Sequence, residues 1–426
     1  MTAKPRIRRE MSSVSPSKPP FLWGAATASH QVEGGNSGSD IWRMENLAGG
    51  AGGFHEPSGD AMDHYHRYPE DIGLLAAAGL NAYRFSVEWA RIEPEPGQVS
   101  MAALDHYARM ADACLAAGMA PVVTLHHFTS PLWLAREGGW DEDRAAERFA
   151  LYAGAVARHM GDRVATWCTI NEINLSNLGF QLVPARRARR LEKLREALAS
   201  RIGTSAFSSF LIHDGRAPAV LKRAHALALA EIKTVRPAAQ VGLTLALPDL
   251  QAAPGGEDQM LLTRAATQYE FLDITGADDF VGVQTYTREL FGAEGRLPPP
   301  EGDLTLTGWE VYPQALEASV RYAAGRTGKP VIVTENGIAT ADDAARIAYT
   351  QTALAGLARA RADGIEVRGY LHWSALDNFE WMHGYGPTFG LIGVDRETFR
   401  RTPKPSLAWL GARARAEPDG PGSPAD

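Results

Sequence analysis

The stretch PVIVTENG at residues 330–337 decides the predicted fold, because it joins a short apolar run to a polar turn that carries Glu335. The run Pro330–Thr334 has the length and the β-branched composition of a buried strand. A segment of helical period follows at Asp342–Ala362, and this order of strand and helix returns along most of the chain. Such alternation is typical of repeated β-α units that form a parallel sheet.

Eight such units can be counted, which predicts one closed (β/α)8 barrel of the α/β class, a TIM barrel. An open doubly wound sheet would usually carry a glycine-rich phosphate turn, and neither GxGxxG nor GxxxxGK[ST] follows any predicted strand. The predicted strands are Phe21–Ala26, Asn81–Phe85, Ala120–Leu125, Val164–Ile170, Val241–Leu245, Phe280–Val283, Pro330–Thr334 and Val367–Trp373. The predicted helices are Tyr68–Ala78, Met101–Ala117, Asp143–Met160, Ala217–Val235, Tyr312–Thr327 and Asp342–Ala362.

Reactive side chains lie at or near the ends of seven of these strands. A polar residue at one strand end is usually just the start of a loop. Because parallel barrels carry their chemistry at the C-terminal ends of the strands, the coincidence across seven strands predicts one active site at that face. In strand order, these residues are Gln31, Arg84, His126, Asn171 with Glu172, Tyr286, Glu335 and Trp373.

The composition is that of an ordinary folded protein and gives no indication of nucleic acid as a partner. Hydrophobic residues make up 45% and charged residues 22% of the 426 residues, which suffices for a large core. The net charge of -7 comes from 43 basic and 50 acidic side chains, spread along the chain rather than gathered in a basic patch. No window approaches the roughly 20 apolar residues of a membrane helix, so we expect no membrane insertion.

Cys114 and Cys168 are the only cysteines, and each lies in an apolar stretch typical of a buried free thiol. They predict neither a disulfide framework nor a thiolate metal site, and they favour a reducing, cytoplasmic compartment. Residues 1–20 are basic and rich in Ser and Pro but lack the apolar core of a secretory signal, so we expect a disordered leader.

The domain prediction is therefore a leader at residues 1–20, a catalytic barrel at 21–415 and a disordered tail at 416–426. The connection after the fourth strand, residues 173–216, is long, and long connections are often functional. An exposed helical surface is its plainer interpretation, and recognition of a leaving group is the sharper one. Its basic side chains are Arg186, Arg187, Arg189, Arg190, Lys193, Arg195 and Arg201.

Two glutamates follow parallel strands in the motifs TINE (169–172) and TENG (334–337). Cleaving a glycosidic bond needs one protonated carboxyl at the leaving oxygen and one carboxylate at the anomeric carbon. Glu172 and Glu335 lie at one barrel mouth and are suited to these two roles. Either glutamate alone has a plainer interpretation as a surface residue at the start of a loop.

With these motifs, FLWGAATASHQVEGG (21–35), YRFSVEWARI (83–92), LHHFTSPLWL (125–134) and GYLHWSALDNFEWMHGY (369–385) resemble glycoside hydrolase family 1, the β-glucosidase family. The resemblance covers the chain from Phe21 to about Ala414. It implies a retaining β-glycosidase with Glu335 as nucleophile, Glu172 as acid/base, and Arg84 and Tyr286 holding the nucleophile. It also implies sugar contacts by Gln31, His126, Asn171 and Glu380, a platform formed by Trp373 and a cap formed by Trp381.

The implied mechanism sets further expectations. Arg84 should keep Glu335 ionised, and that negative charge should raise the pKa of Glu172 so that it arrives protonated. A retaining mechanism predicts a separation of about 5 to 5.5 Å between the two carboxyl groups. Relatives that take 6-phosphosugars replace the pair Glu380-Trp381, so an unphosphorylated hexose is expected, glucose first and then galactose or fucose.

Four positions depart from the usual family text: Ile173, the triplet Gln284-Thr285-Tyr286, the pair His126-His127, and Thr388. Gln284 and Thr285 are expected near the aglycone side, where the leaving group lies. A transglycosidase and a noncatalytic sugar-binding relative remain as alternatives, whereas adjacent histidines without a further ligand disfavour a metal hydrolase. We therefore expect a small-molecule β-glycoside as substrate, with no cofactor and no metal, and leave homo-oligomer formation open.

Overall fold

The predicted strands lie side by side as parallel neighbours in the computed structural model of the chain, which describes residues 20–47, 53–178 and 185–422. The strands are β1 (Leu22–Ala26), β2 (Ala82–Ser86), β3 (Ala120–His126), β4 (Thr166–Ile170), β5 (Gln240–Gly242), β6 (Thr244–Ala246), β7 (Asp249–Ala252), β8 (Val281–Gln284), β9 (Arg288–Gly292), β10 (Gly295–Arg296), β11 (Val331–Asn336), β12 (Val367–Trp373), β13 (Ile392–Val394) and β14 (Arg401–Pro403).

The helices cover the outside of this sheet and fill the connections between its strands. They are α1 (Ser29–Val32), α2 (Asp40–Glu45), α3 (His64–Ala78), α4 (Trp89–Ile92), α5 (Met101–Ala116), α6 (Leu132–Arg136), α7 (Arg144–Met160), α8 (Leu175–Leu178), α9 (Ala185–Ile202), α10 (Ala217–Val235), α11 (Glu257–Arg264), α12 (Glu270–Leu272), α13 (Ala315–Thr327), α14 (Asp343–Ala362) and α15 (Pro405–Ala416).

The sheet closes into the predicted barrel through its fifth strand. Its order is β5-β4-β3-β2-β1-β12-β11-β8-β6, and β5 and β6 are separated only by Leu243. The two are therefore halves of one strand, of which the first pairs with β4 and the second with β8. Glycine at position 242 lets the backbone there lie close to the backbone of Phe280, because a Cβ at this position would lie 2.3 Å from the Phe280 carbonyl oxygen.

All six predicted helices are present, and two of the longer helical segments were among the elements that the sequence analysis missed. The segment α11–α12 escaped the sequence analysis because a π-helical turn, Ala265–Tyr269, interrupts it and shifts its apolar period. The other missed segment is α15, whose Leu407, Leu410 and Ala414 pack into the main core. The hydrophobic core has two layers. Residues such as Val122 and Leu371 form one cluster, and the side chains that pack against the helices form another.

The start of the predicted tail contacts the beginning of barrel strand β1. Trp23 Nε1 donates to the Glu417 carbonyl oxygen at 2.7 Å, and Arg361 donates to the carbonyl oxygens of Asp419 and Pro421. Residues 416–422 are thus held in place, contrary to the expectation of disorder, while residues 1–19 and 423–426 lie outside the described residues. None of the helices in the described ranges is long and apolar enough to span a membrane.

The long connection after β4 contains the helix that the sequence predicted. The apolar face of α9, including Leu198 and Ile202, packs with Ile41 and Met44 of α2 beside the barrel mouth. Of its basic residues, Arg189, Lys193 and Arg201 are exposed and Arg195 is half-buried, whereas the side chains of Arg186, Arg187 and Arg190 lie outside the described part. The helix therefore covers part of the mouth with one face and carries charge on another.

Candidate active site

Three side chains hold the carboxylate of Glu335 at the end of β11. Arg84 Nη1 donates to Glu335 Oε1 at 2.6 Å, and Gln284 Nε2 donates to the same oxygen at 2.9 Å. Tyr286 donates its hydroxyl proton to Glu335 Oε2 at 2.5 Å. Two hydrogen bonds from neutral donors and one buried ion pair therefore favour the ionised form of this carboxyl.

A β-bulge turns Glu335 toward these partners. Val333 pairs with Val283, but the next pair joins Glu335 to Gln284, so β11 carries one extra residue at this point. Bulges re-aim side chains next to active sites. Because of this one, Glu335 and Gln284 lie on the same side of the sheet and can share a hydrogen bond.

Glu172 follows β4 in a backbone conformation that few residues other than glycine adopt. Its φ is 44°, and its amide nitrogen donates to Thr244 Oγ1 at 3.3 Å. Its carboxyl lines the same cavity as Glu335 and makes no hydrogen bond to any side chain of the described residues. Such strain is concentrated at functional sites, and here it accompanies a carboxyl that is left available to a ligand.

The two glutamates differ in their electrostatic surroundings. Burial raises the pKa of Glu335, while the positive charge of Arg84 and the hydrogen bonds from Tyr286 and Arg84 oppose that rise. Burial also raises the pKa of Glu172, and the negative charge of Glu335 raises it further, well above its usual range. These surroundings therefore favour a shared proton on Glu172 rather than on Glu335.

Gln31 and Glu380 lie beside two tryptophans that line the cavity. Gln31 Nε2 donates to the Phe379 carbonyl oxygen at 2.8 Å, and Trp373 Nε1 donates to Glu380 Oε1 at 3.3 Å. Burial raises the pKa of Glu380 to about 8. Trp381 has a φ of 50° and also lines the cavity. All four were predicted to contact the sugar, and the structure brings them together.

His127, rather than the predicted His126, lines the cavity. The ring of His127 stacks against Trp373 with 5.8 Å between centroids. The ring of His126 packs edge-on against Trp140 and Phe149 in the helical layer, and burial lowers its pKa to about 3. The expected contact between His126 and a sugar therefore has no support in this geometry, and His127 is the histidine that lines the cavity.

Asn171 and Gln284 lie in the buried hydrogen-bond network around Arg84 and Glu335. Asn171 Oδ1 accepts from Arg84 Nη2 at 2.6 Å and from Gln284 Nε2 at 2.8 Å. Asn171 is not among the residues that line the cavity, and its side chain instead fixes Arg84. Gln284, expected near the aglycone side, is instead a direct partner of Glu335, and its position two residues before Tyr286 on the same face could have indicated this.

These residues surround one cavity of about 530 Å³. Its polar floor, as we name it, consists of residues that follow the barrel strands: Gln31, His127, Glu172, Gln284, Glu335 and Glu380, with Trp373 and Trp381 beside them. Its apolar wall consists of residues on the loops and short elements above: Ile41, Met44, Phe54, Leu175, Leu211, Ile212, Pro248, Leu250 and Met382. Within the described residues, no cluster of three or more His, Cys, Asp or Glu side chains is arranged to hold a metal.

Comparison with known proteins relates this site to sugar hydrolysis. The sequence matches the model of glycosyl hydrolase family 1 over residues 16–275 and 257–417. It is 34% identical over 442 residues to thermostable β-glucosidase B of Thermobispora bispora, covering 91% of this chain and 88% of that protein. It is 32% identical over 461 residues to a bifunctional β-D-glucosidase/β-D-fucosidase of Bifidobacterium breve, covering 91% and 96%.

Solved structures also relate the chain to β-glycosidases. The chain superposes on the crystal structure of β-glycosidase BGL167 with a TM-score of 0.88 at 51% identity, covering 93% of this chain and 96% of the other. A β-glucosidase from Thermotoga maritima in complex with cyclophellitol gives a TM-score of 0.80 at 27% identity, covering 95% and 99%. The similarity extends over nearly the whole of each protein.

Proposed function

The chain belongs to glycosyl hydrolase family 1, a family of retaining glycosidases, and on that premise we propose that it hydrolyses β-glucosides with Glu335 as nucleophile and Glu172 as acid/base. The observation that carries the proposal is that two buried glutamates in one cavity have opposite surroundings. Arg84 and Tyr286 bind the carboxylate of Glu335, whereas the carboxyl of Glu172 has no such partner and a strongly raised pKa.

The first step forms a covalent intermediate. A carboxylate oxygen of Glu335 attacks the anomeric carbon, the glycosidic C–O bond breaks, and the proton of Glu172 passes to the leaving oxygen. Arg84, Gln284 and Tyr286 orient the attacking carboxylate before the reaction. The resulting glycosyl ester leaves Glu335 uncharged.

The second step releases the sugar. Once Glu335 is esterified, its negative charge no longer raises the pKa of Glu172, so the Glu172 carboxylate can accept a proton from water. The water oxygen bonds to the anomeric carbon as the ester bond breaks, and Glu335 recovers its charge. Two inversions give net retention, and we expect the two carboxyl groups to be about 5 to 5.5 Å apart.

The polar floor supports an unphosphorylated hexose as the glycone. Gln31 and Glu380 offer amide and carboxyl groups to sugar hydroxyls, while Trp373 offers an aromatic face to the C–H surface of the ring. A carboxyl at Glu380 would repel a phosphate when ionised. We rank glucose first, and fucose is a second candidate because one relative is a bifunctional β-D-glucosidase/β-D-fucosidase.

The test is release of nitrophenol from aryl β-glucoside, β-galactoside, β-fucoside and β-6-phosphoglucoside by wild type and Glu335→Ala. Turnover of a neutral β-glycoside that disappears in Glu335→Ala would support the assigned nucleophile. Proton NMR of the first product formed should show the β-anomer. An α-anomer would exclude retention, and no turnover by wild type would overturn the proposal.

The remaining assignments are also proposals. A cytoplasmic location is supported by the two buried free thiols, Cys114 and Cys168, and cell fractionation would test it. One catalytic domain spanning residues 21–415 is supported by the continuous barrel. A transglycosidase would share the same intermediate, and the ratio of transfer product to free sugar distinguishes it from a hydrolase.

A further inference from the structure

Thr244 is a buried polar residue that has no part in the reaction described above. It lies on β6, the second half of the fifth barrel strand. Its hydroxyl oxygen accepts from the Glu172 backbone nitrogen at 3.3 Å, and the hydroxyl can donate to Asn171 Oδ1 at 3.2 Å or to the Ile170 carbonyl oxygen at 3.4 Å. One side chain therefore contacts three consecutive residues at the end of β4.

The backbone of Glu172 depends on support at this point. Its φ of 44° lies in the left-handed region, which is costly for a residue that has a Cβ. The pairing of β4 with β5 ends at Cys168 and Gly242, so the Glu172 amide lies beyond that ladder and pairs with the Thr244 hydroxyl instead. Because φ sets the direction in which a side chain leaves the backbone, a hydroxyl that fixes this amide also aims the carboxyl.

A glycine on the neighbouring strand sets the orientation of the Thr244 side chain. Thr244 pairs with Gly282 of β8, and a Cβ at position 282 would lie 2.5 Å from Thr244 Cγ2 and 2.9 Å from Thr244 Cβ. The threonine methyl therefore occupies space that a larger residue at position 282 would need. A β-branched side chain is stiff about χ1, so with its methyl over Gly282 the hydroxyl stays directed at the end of β4.

The same hydroxyl begins a chain of hydrogen bonds that ends at the other glutamate. Asn171 Oδ1, which faces Thr244, also accepts from Arg84 Nη2 at 2.6 Å. Arg84 Nη1 donates in turn to Glu335 Oε1 at 2.6 Å. The Glu172 backbone and the Glu335 carboxylate are thus joined through three buried side chains. Buried networks of paired groups rigidify their members, so Thr244 helps to set the relative position of the two glutamates.

We propose that Thr244 is a positioning residue that aims the Glu172 carboxyl at the leaving oxygen through the Glu172 backbone. The proposal rests on the proposed function and deepens its first step. Only a substrate whose leaving group needs a proton depends on where Glu172 points. Methyl β-glucoside is such a substrate, whereas dinitrophenolate leaves without a proton. A side chain that only stabilised the fold would affect both substrates alike.

The test compares kcat/KM for methyl β-glucoside and dinitrophenyl β-glucoside, because this quantity reports the first step. Thr244→Val removes the hydroxyl and keeps the shape of the side chain. We expect it to lose about tenfold or more on methyl β-glucoside and less than about threefold on dinitrophenyl β-glucoside. Thr244→Ser keeps the hydroxyl but frees its rotation, so its selective loss should lie between that of Thr244→Val and wild type.

A second buried threonine provides the matched control. Thr275 is 2% exposed, and its hydroxyl donates to the Leu272 carbonyl oxygen at 2.8 Å. It lies in the connection before β8 and does not line the cavity. Thr275→Val therefore loses one buried hydrogen bond and should keep the wild-type ratio of the two kcat/KM values. Circular dichroism melting gives the stability of each variant, and Thr244→Ala replaces Thr244→Val if the latter melts early.

The possible results separate the inference from the function on which it rests. Equal losses on both substrates in Thr244→Val, a wild-type ratio in that variant, or a selective loss as large in Thr244→Ser would overturn the positioning role while wild type still hydrolyses nitrophenyl β-glucoside. If wild type hydrolyses no β-glucoside at all, including the nitrophenyl substrate, the proposed function fails and the inference falls with it.

Discussion

The polar floor and the apolar wall line one cavity, but polar atoms on the two sides differ in whether they have hydrogen-bond partners. On the floor, Gln31 Oε1 and His127 Nδ1 are buried without a partner in the described part of the chain. On the wall side, Asn174 has both donors and its acceptor satisfied by backbone groups. Unpaired buried polar atoms are costly in an empty site and favourable once a ligand pairs with them, so the floor is built to bind hydroxyls and the wall is not.

The two surfaces also differ in the elements that carry them. Floor residues lie at the C-terminal ends of barrel strands or in the connections that follow them, and hydrogen-bonded neighbouring strands fix those ends in place. Wall residues lie on connections such as the one after β4, where chains vary most readily. The barrel therefore fixes the polar floor, whereas the loops supply the apolar wall.

The largest expected difference between the surfaces concerns their carboxyl groups. Glu335→Gln removes the proposed nucleophile and should lower kcat for nitrophenyl β-glucoside by about 10⁴-fold or more. Glu289→Gln removes a carboxyl that lines the same cavity beside the wall and pairs with Arg296, so it should lower kcat less than tenfold. Steady-state kinetics on both variants checks this, and equal losses would contradict the division into floor and wall.

A smaller difference is expected for neutral side chains. Gln284→Leu removes a donor to Glu335 Oε1 and to Asn171 Oδ1. Hydrogen bonds to charged groups are worth about 1.5 to 3 kcal/mol, so kcat/KM should fall about 10- to 100-fold. Thr267→Val removes a wall-side hydroxyl that bonds only the Thr263 carbonyl and should cost a few-fold at most. A Gln284→Leu enzyme with wild-type kcat/KM would remove this residue from the nucleophile's support.

The adjacent histidines give a third comparison, between the floor and the helical layer. His127→Phe removes a polar atom from the floor together with its hydrogen bond to Asn171 at 3.2 Å, and it should raise KM for nitrophenyl β-glucoside about five- to tenfold. His126→Phe should lower the melting temperature, because it removes the hydrogen bond to Ser130 Oγ at 3.0 Å, and should leave KM near wild type. A KM effect confined to His126→Phe would restore the original sequence assignment.

The barrel could be predicted from the sequence because alternation of apolar strands and helices fixes both the sheet and its closure. All eight strands and six helices were found within a few residues. The long connection and its helix α9 were also predicted. The interrupted helix α11–α12 was missed because its π-helical turn breaks the period on which the prediction depends.

Positions within the site were predicted less well where strand geometry ends. Ile332 lies in the inner cluster and Val333 in the outer one, so regular alternation would turn Glu335 outward, and only the bulge directs it inward. Likewise, Val122 lies in the inner cluster and regular alternation would direct His126 inward. The family motif supplied the proposed role of Glu335, but the pattern of residues could not show where alternation breaks.

The smallest expected effect is a shift in the pKa of Glu172 when the charge of Glu335 is removed. That charge raises the pKa of Glu172 in addition to burial, so Glu335→Gln should lower it. Burial remains, so the value should stay above that of an exposed glutamate. Carbon NMR titration of labelled glutamate measures the shift, with Glu289→Gln as the control that should not move it.

Since Glu172 must arrive protonated, wild-type kcat/KM should fall as pH rises through this pKa. A Glu172 pKa that is the same in Glu335→Gln and wild type would show that burial alone keeps the acid protonated, and the floor would then lack the electrostatic coupling that distinguishes it from the wall.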